Sequence, residues 1–311
     1  MTTCPDYQAT GKEPFYPFPR TFWTTPLGPS PKVAENSAQL VSNLVSQIST
    51  EYGTVNMDSG PSRYVVHGKE LAPNTVMVRQ PREESGPVAL SSVPLPPELV
   101  GGPGTDAEVI IWDVQFEQVG GFDGPISYEF WGYGPQASAN TFMRGPADGS
   151  WDGVFPWSAE PTKAANTTSA SGIAYAGGLI TYAEALYGTI GHMLGLTVGK
   201  TSSEFVAPAM QSDGNVPVSS GGVPYGTVFF FPPDVPEPGG LSSLAKMVFV
   251  ALKTYGMIAY DQTQGYGCDL SFENKAPWDA YKPGLEWPYD PGVAYSVLNG
   301  IPWSSLAVLA P

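Results

Sequence analysis

Hydrophobic positions three and four residues apart predict the first helix, over residues 31–52. Ser30 fits its N-cap, Pro31 fits its first turn, and Gly53 lies where a glycine commonly ends a helix. The apolar stripe comprises Val33, Ala34, Ser37, Val41, Leu44, Val45 and Ile48, with Leu40 beside it. A stripe of this length fits a coiled-coil seam, but packing of the helix on the protein's own sheet is the favoured interpretation.

From residue 62 onward the apolar positions alternate, which is typical of short β-strands joined by turns. The predicted strands are Tyr64–His67, Thr75–Val78, Glu108–Phe116, Ile126–Trp131, Thr189–Val198, Thr227–Phe231, Met257–Asp261 and Val293–Leu298. Residues 81–107 are predicted as a long irregular connection. A second helix, over residues 242–255, is apolar around most of its circumference and ends at Gly256. We expect this helix to be buried across one mouth of the strands.

Together these elements predict a mostly β fold. We expect a jelly-roll-like β-sandwich with one buried helix, preceded by an extended N-terminal arm and an amphipathic helix. Residues 1–60 would form the arm and helix, and residues 61–311 the sandwich domain.

The arm, residues 1–31, is too rich in proline to form a regular helix; its prolines are Pro5, Pro14, Pro17, Pro19, Pro26, Pro29 and Pro31. It also carries aromatic side chains that are too apolar to remain in water, namely Phe15, Tyr16, Phe18, Phe22 and Trp23. The arm is therefore expected to lie on a surface, either its own domain or a neighbouring subunit.

The composition and the net charge argue against several classes of function. Hydrophobic residues make up 42% of the 311 residues, enough for a core, whereas charged residues make up only 14%. The net charge of −15 argues against binding to nucleic acid or to an anionic membrane. No apolar run is long enough to predict a membrane span, and the N-terminus does not read as a signal peptide. Cys4 and Cys268 could pair, although two unpaired thiols are favoured.

Histidine occurs only at positions 67 and 192, and the chain lacks the nucleophile elbow, the phosphate-binding loop and the zinc-protease motif. No metal site and no cofactor are predicted. On the predicted strand, His192 lies on an apolar face, where a core histidine satisfied by a backbone or carboxylate partner is favoured. The alternative is a general base oriented by Asp213 or Asp261.

Acidic and aromatic residues also cluster between residues 129 and 157. Indole rings stack on the apolar faces of sugars while nearby carboxylates accept hydrogen bonds from hydroxyl groups, so such a cluster is a candidate glycan site. The candidates are Glu129, Trp131, Asp148, Trp151, Asp152 and Trp157. Core tryptophans with acids in solvated turns are the simpler interpretation. The spacing of Asp148 and Asp152 does not match an EF-hand calcium loop.

Four segments resemble an uncharacterised β-sandwich family of actinobacterial secreted proteins: SYEFW at 127–131, residues 189–198, APAMQSDG at 207–214 and LAKMVFVALKTYGMIAYD at 244–261. The resemblance covers roughly residues 90–275. It implies a jelly-roll-like fold presented outside the cell that binds or acts on polysaccharide. On the matching motifs, Glu129, His192, Asp213 and Asp261 become candidate catalytic residues. The arm and the absence of an export signal distinguish this chain from the family.

The predicted function is that of a virion protein, a minor tail or tail-tip protein of an actinobacteriophage that contacts glycan of the host envelope. Residues 1–52 would attach it to other virion proteins in an oligomer, and the sandwich would bind host cell-wall polysaccharide. Three alternatives remain open. They are a glycoside hydrolase using paired acids such as Glu129 and Asp213, a purely structural virion protein, and a secreted protein.

Overall fold

The structure is a computed structural model. It describes residues 22–50, 53–66, 74–79, 87–93, 99–103, 107–119, 122–130, 169–263, 265, 267–275, 277, 288–289 and 291–311. Its helices are α1 (Ser37–Ile48), α2 (Tyr182–Tyr187) and α3 (Ser243–Thr254). Its strands are β1 (Asn56–Ser59), β2 (Ser62–Val66), β3 (Asn74–Arg79), β4 (Pro87–Val93), β5 (Val109–Val119), β6 (Phe122–Phe130), β7 (Leu194–Val198), β8 (Thr201–Phe205), β9 (Val223–Tyr225), β10 (Val228–Phe230), β11 (Met257–Gln262), β12 (Cys268–Phe272) and β13 (Ala307–Val308).

The main sheet has six strands in the order β1-β12-β7-β11-β10-β13. It is mixed, because β7 pairs parallel with β11 but antiparallel with β12. Three smaller sheets have the orders β2-β5-β6, β3-β4 and β8-β9. This pairing confirms a mostly β fold. It does not by itself amount to a jelly roll, because the main sheet contains parallel pairs.

The two faces of the main sheet bury different cores. Met257 and Ala259 of β11 lie in one cluster with apolar side chains of α1 and α3. Ile258 and Tyr260, which alternate with them, lie in a second cluster that includes Trp112 of β5. The main sheet therefore lies between a helical layer and a layer to which the β2-β5-β6 sheet contributes.

Helix α3 confirms the predicted helix over residues 242–255, although it packs on a face of the main sheet. The Ser242 hydroxyl accepts a hydrogen bond from the Ala245 N–H at 3.1 Å, which caps the helix. At the other end, Gly256 has a φ of 84° and donates its N–H to the Ala251 carbonyl. None of the helices in the described part of the chain has the length and apolarity needed to cross a membrane.

The prediction that the first helix packs on its own sheet is confirmed, but its predicted bounds of 31 and 52 are wrong, because the helix begins at Ser37 and ends at Ile48. Leu40, Leu44 and Ile48 are buried in the core beneath the main sheet. Residues 32–34 are instead extended, because the Ala34 N–H bonds to the Val308 carbonyl and the Ala310 N–H bonds to the Lys32 carbonyl. This pairing covers the edge of the sheet at β13. Because residues 32–34 are extended, the helix begins only at Ser37.

Three other local predictions are also corrected. The strand predicted over residues 293–298 is wrong, because Pro291–Ser296 forms a 3₁₀ helix. The proline ring restricts φ to a value that is compatible with the first turn of a helix. The irregular connection predicted over residues 81–107 contains β4, which pairs with β3. The strand predicted over residues 189–198 begins only at Leu194, because the Met193 N–H bonds to the Trp23 carbonyl instead of to a neighbouring strand.

The described part of the arm lies on its own domain. Trp23 is completely buried in the second core, and its ring occupies the space beside Gly177, where an added Cβ would lie 2.1 Å from Trp23 Cε2. Residues 1–21 lie outside the described residues. Cys268 is a buried free thiol, whereas Cys4 lies outside the described residues as well.

We predict that Trp23→Ala lowers the free energy of unfolding by about 3–5 kcal/mol, because it removes a fully buried indole and leaves a cavity. Urea denaturation followed by circular dichroism measures the change. The matched control is Leu186→Ala, which truncates a side chain that is 50% exposed and should change stability by less than about 0.5 kcal/mol. Equal effects of the two substitutions would contradict the placement of Trp23 in the core.

Candidate functional site

Glu129 is the penultimate residue of β6 and is completely buried. One carboxylate oxygen accepts a hydrogen bond from the Tyr175 N–H at 3.0 Å, and the other accepts one from the Ala176 N–H at 2.7 Å. These N–H groups begin the 3₁₀ helix Tyr175–Gly178, where main-chain donors have no partner within the helix. Glu129 therefore joins the β2-β5-β6 sheet to the turn that covers the main sheet, and it exposes no surface to a substrate.

His192 is also completely buried, and it precedes β7 instead of lying on it. Its Nδ1 lies 2.7 Å from the Met193 carbonyl oxygen, and its Nε2 lies 3.1 Å from Glu184 Oε1. Both ring nitrogens thus face hydrogen-bond acceptors. Because both nitrogens can donate only when the ring is protonated, this arrangement favours the imidazolium form of His192. The favoured expectation of a core histidine with backbone and carboxylate partners describes this arrangement.

The carboxylate beside His192 belongs to Glu184, which the sequence reasoning missed. Glu184 and Thr181 form a capping box at the start of α2: the Thr181 hydroxyl accepts from the Glu184 N–H, and the Glu184 carboxylate accepts from the Thr181 N–H. The sequence does carry this signal, since threonine followed three residues later by glutamate is the capping-box pattern. Asp213 and Asp261, the partners considered for His192, act on Tyr225 instead, Asp213 through a hydrogen bond and Asp261 through its charge.

The Glu184–His192 pair shifts both pKa values. Burial alone would lower the pKa of His192, but attraction and hydrogen bonding to Glu184 outweigh it and raise the pKa. Burial alone would raise the pKa of Glu184, but the charge of His192 and hydrogen bonds from His192 and Thr181 lower it. The pair therefore remains ionised inside the core.

A second buried ion pair, Arg63 with Glu273, also escaped the sequence reasoning. Arg63 lies on β2, and Glu273 follows β12, so the pair joins the two larger sheets. The Glu273 carboxylate also accepts a hydrogen bond from the Tyr182 N–H at the start of α2. The guanidinium lies 4.6 Å from the centroid of the Trp112 ring, which adds a cation–π contact.

Asp213 and Asp261 are the two catalytic candidates that reach the surface. Asp213 is exposed, and its Oδ1 accepts a hydrogen bond from the Tyr225 hydroxyl at 2.9 Å. Asp261 is half-buried on β11, and its Oδ1 accepts from the Gln262 N–H at 2.8 Å. Burial raises the pKa of Tyr225, and the charges of Asp261 and Asp213 raise it further. Asp213 therefore bonds the Tyr225 hydroxyl directly, whereas Asp261 acts on the same phenol through its charge; we call these three residues the acidic tyrosine cluster.

Two more tyrosines form a buried layer next to this cluster. The Tyr175 and Tyr260 rings stack with centroids 4.9 Å apart, and their hydroxyls lie 2.9 and 3.1 Å from Ser271 Oγ. Burial raises the pKa of Tyr260, with a smaller contribution from the charge of Asp261. Because Asp261 directly follows Tyr260, this packed layer fixes the backbone that carries the carboxylate.

The remaining glycan candidates, Trp131, Asp148, Trp151, Asp152 and Trp157, lie outside the described residues. Within the described residues, no group of three His, Cys, Asp or Glu side chains is arranged to hold a metal ion.

No protein-family model, curated protein or solved structure matches the chain. The resemblance to actinobacterial secreted proteins therefore remains a prediction, and the function has to be inferred from the geometry of the chain itself.

We predict that the Glu184–His192 pair makes stability depend on pH. A raised histidine pKa gives stabilisation that is complete below the ordinary value of 6.5 and is lost as pH rises through the folded-state pKa. A lowered glutamate pKa gives stabilisation present above 4.5 and lost as pH falls through the folded-state pKa. His192→Gln should therefore reduce the free energy of unfolding most between pH 4.5 and 6.5, by about 3–5 kcal/mol, because it leaves a buried carboxylate without its cation.

The measurement is urea denaturation of both proteins from pH 4 to pH 10, with the difference between them as the readout. Lys246→Gln provides the control, because the Lys246–Glu237 pair is exposed on both sides and should show little effect at any pH. A difference that stays constant above pH 6.5 would mean that His192 is neutral in the folded protein.

Proposed function

We propose that this protein is a non-catalytic, glycan-binding component of an actinobacteriophage tail, and that the acidic tyrosine cluster contributes to the sugar site. The observation that carries the proposal is the position of Asp213, an exposed carboxylate oriented by the Tyr225 hydroxyl, on which the charge of Asp261 also acts. Oriented carboxylates at a protein surface accept hydrogen bonds from sugar hydroxyl groups, and the rigid tyrosine layer beside them limits the entropy lost on binding.

Binding is favoured over hydrolysis because the other candidate residues are occupied. A glycosidase needs two accessible carboxyl groups, one of which transfers a proton to the leaving group. Glu129, the acid considered as a partner for Asp213, is completely buried and accepts two main-chain N–H groups. His192 is bonded to Glu184 and to the Met193 carbonyl inside the core. Neither residue can exchange protons with a bound sugar without disrupting the fold.

The location in a virion rests on the sequence, through the aromatic arm, the low charge content and the resemblance to displayed sandwich proteins. The finer fold assignment is part of the same proposal. We infer that the β2-β5-β6 sheet faces the main sheet as the second layer of a sandwich, since Ile110 and Trp112 of β5 share one buried cluster with Ile258 and Tyr260 of β11.

We predict that the wild-type protein is retained on cell-wall polysaccharide from an actinobacterial host, and that Asp213→Asn or Asp261→Asn weakens retention about tenfold or more. Each substitution removes a charge-assisted hydrogen bond, worth about 1.5–3 kcal/mol, to a sugar hydroxyl. An asparagine at position 213 still accepts from the Tyr225 hydroxyl, so the fold should be unaffected. The measurement is affinity electrophoresis in gels containing the polysaccharide.

Asp234→Asn is the matched control, because Asp234 is an exposed aspartate on the opposite side of the main sheet, beside α3. The control should bind like the wild type. Absence of retention of the wild type on host polysaccharides would leave the purely structural alternative. Release of sugar that is lost in Asp213→Asn would establish the hydrolase instead.

A further inference from the structure

An apolar groove lies beside the end of the described chain, on a surface that the glycan proposal does not use. It has a volume of about 280 Å³. Its walls are formed mainly by apolar side chains, among them Phe205, Val206, Pro224, Val228, Val308 and Leu309. Glu204 provides the one charged side chain in the described lining. We call this the C-terminal groove.

Two adjacent apolar side chains at the groove remain in contact with water. Phe205 is 46% exposed and Val206 is 38% exposed, although both follow the buried start of β8. The backbone holds them in place, since the Val206 N–H bonds to the Tyr225 carbonyl and Phe205 pairs with Tyr225 in the β8–β9 sheet. An exposed apolar pair beside a preformed apolar groove is typical of a protein-binding surface.

The chain itself contains a segment with matching chemistry. Residues 14–19 read Pro-Phe-Tyr-Pro-Phe-Pro, with no charge, and Arg20 follows directly. Prolines at every second or third position favour the polyproline II conformation, so such a segment loses little entropy when it binds, and apolar grooves recognise it through its rings. Arg20 can then approach Glu204 at the groove. Pro14 lies eight residues before Phe22, so at roughly 3 Å per residue the segment extends at most about 25 Å from that point, and the two copies must be in direct contact.

The path of the described arm favours a groove on another copy. The chain is fixed at Trp23 in the second core, contacts the end of α3 where the Leu27 N–H bonds to the Thr254 carbonyl, and reaches the groove at Ala34. To fill the groove of its own copy, the segment would have to leave that groove, enter the core at Trp23 and return to the same groove eleven residues later, at Ala34. A segment from a neighbouring copy does not have to follow this path.

We propose that the C-terminal groove of one copy binds residues 14–19 of a neighbouring copy, so that copies associate head to tail. The two interacting surfaces differ, which makes the contact heterologous: it closes into a ring or propagates as a filament. This inference concerns assembly and does not rest on glycan binding. The experiment below contains no sugar, so its failure leaves the glycan proposal untouched.

The test uses two variants of the full chain, studied by sedimentation velocity over a range of concentrations. Phe205→Asp places a charge in the groove, and the double substitution Phe15→Ser, Phe18→Ser removes two rings of the arm segment. Each should weaken self-association about tenfold or more, because interface aromatic residues commonly contribute that much. Leu186→Asp is the control, since Leu186 is a similarly exposed apolar residue away from the groove, and it should associate like the wild type.

Mixing the two weakened variants gives the decisive observation. The groove variant still has an intact arm and the arm variant still has an intact groove, so the mixture should form heterodimers but nothing larger. A wild-type protein that stays monomeric overturns the proposal, as does an arm variant that associates normally. Failure of the mixture to form heterodimers also overturns it. Unchanged thermal midpoints of both variants show that any loss of association does not come from unfolding.

Discussion

Three buried glutamates hold residues 175–184 in place, a segment that contributes to the connection between the two larger sheets. Glu129 accepts the N–H groups of Tyr175 and Ala176, Glu273 accepts that of Tyr182, and Glu184 accepts that of Thr181. In each case a carboxylate satisfies main-chain donors at the beginning of a helical turn, where they would otherwise be buried without acceptors. Two of the three also have a buried cation, Arg63 or His192, so the negative charge in the core is partly compensated.

This arrangement constrains where chemistry can occur. A chain with only 14% charged residues uses several of them inside the fold, and a carboxylate whose oxygens bind main-chain donors cannot also serve a substrate without loss of structure. Of the acidic residues considered for catalysis, Asp213 and Asp261 are the ones with access to solvent. The same division of roles explains why the functional inference favours binding: recognition needs oriented acceptors at the surface, whereas hydrolysis needs a proton donor whose pKa is adjusted at the same place.

The features that were predictable from the sequence are those determined by neighbours in the chain. Helix α3 has its N-cap at Ser242 and a glycine after its C-terminus at position 256, so both of its ends could be predicted from the sequence. The capping box at Thr181 and Glu184 is also a local pattern in the sequence, but the pairing of Glu184 with His192 is a tertiary contact that this pattern does not predict. The extended conformation of residues 32–34 was not predictable, because its partners lie more than 270 positions away. The same holds for Arg63 and Glu273, which are 210 positions apart and join different sheets.

Apolarity determines where the described end of the arm lies. Its aromatic side chains must leave water, and Trp23 does so in the core of its own molecule, next to a glycine that leaves room for the ring. This intramolecular contact accounts for the apolarity of Trp23. Phe205 and Val206 at the C-terminal groove are exposed at this cost, and the sequence of residues 14–19, with three prolines and three aromatic rings, would incur the same cost in water. An interaction between the two removes both costs at once, whereas separate explanations would require two further partners.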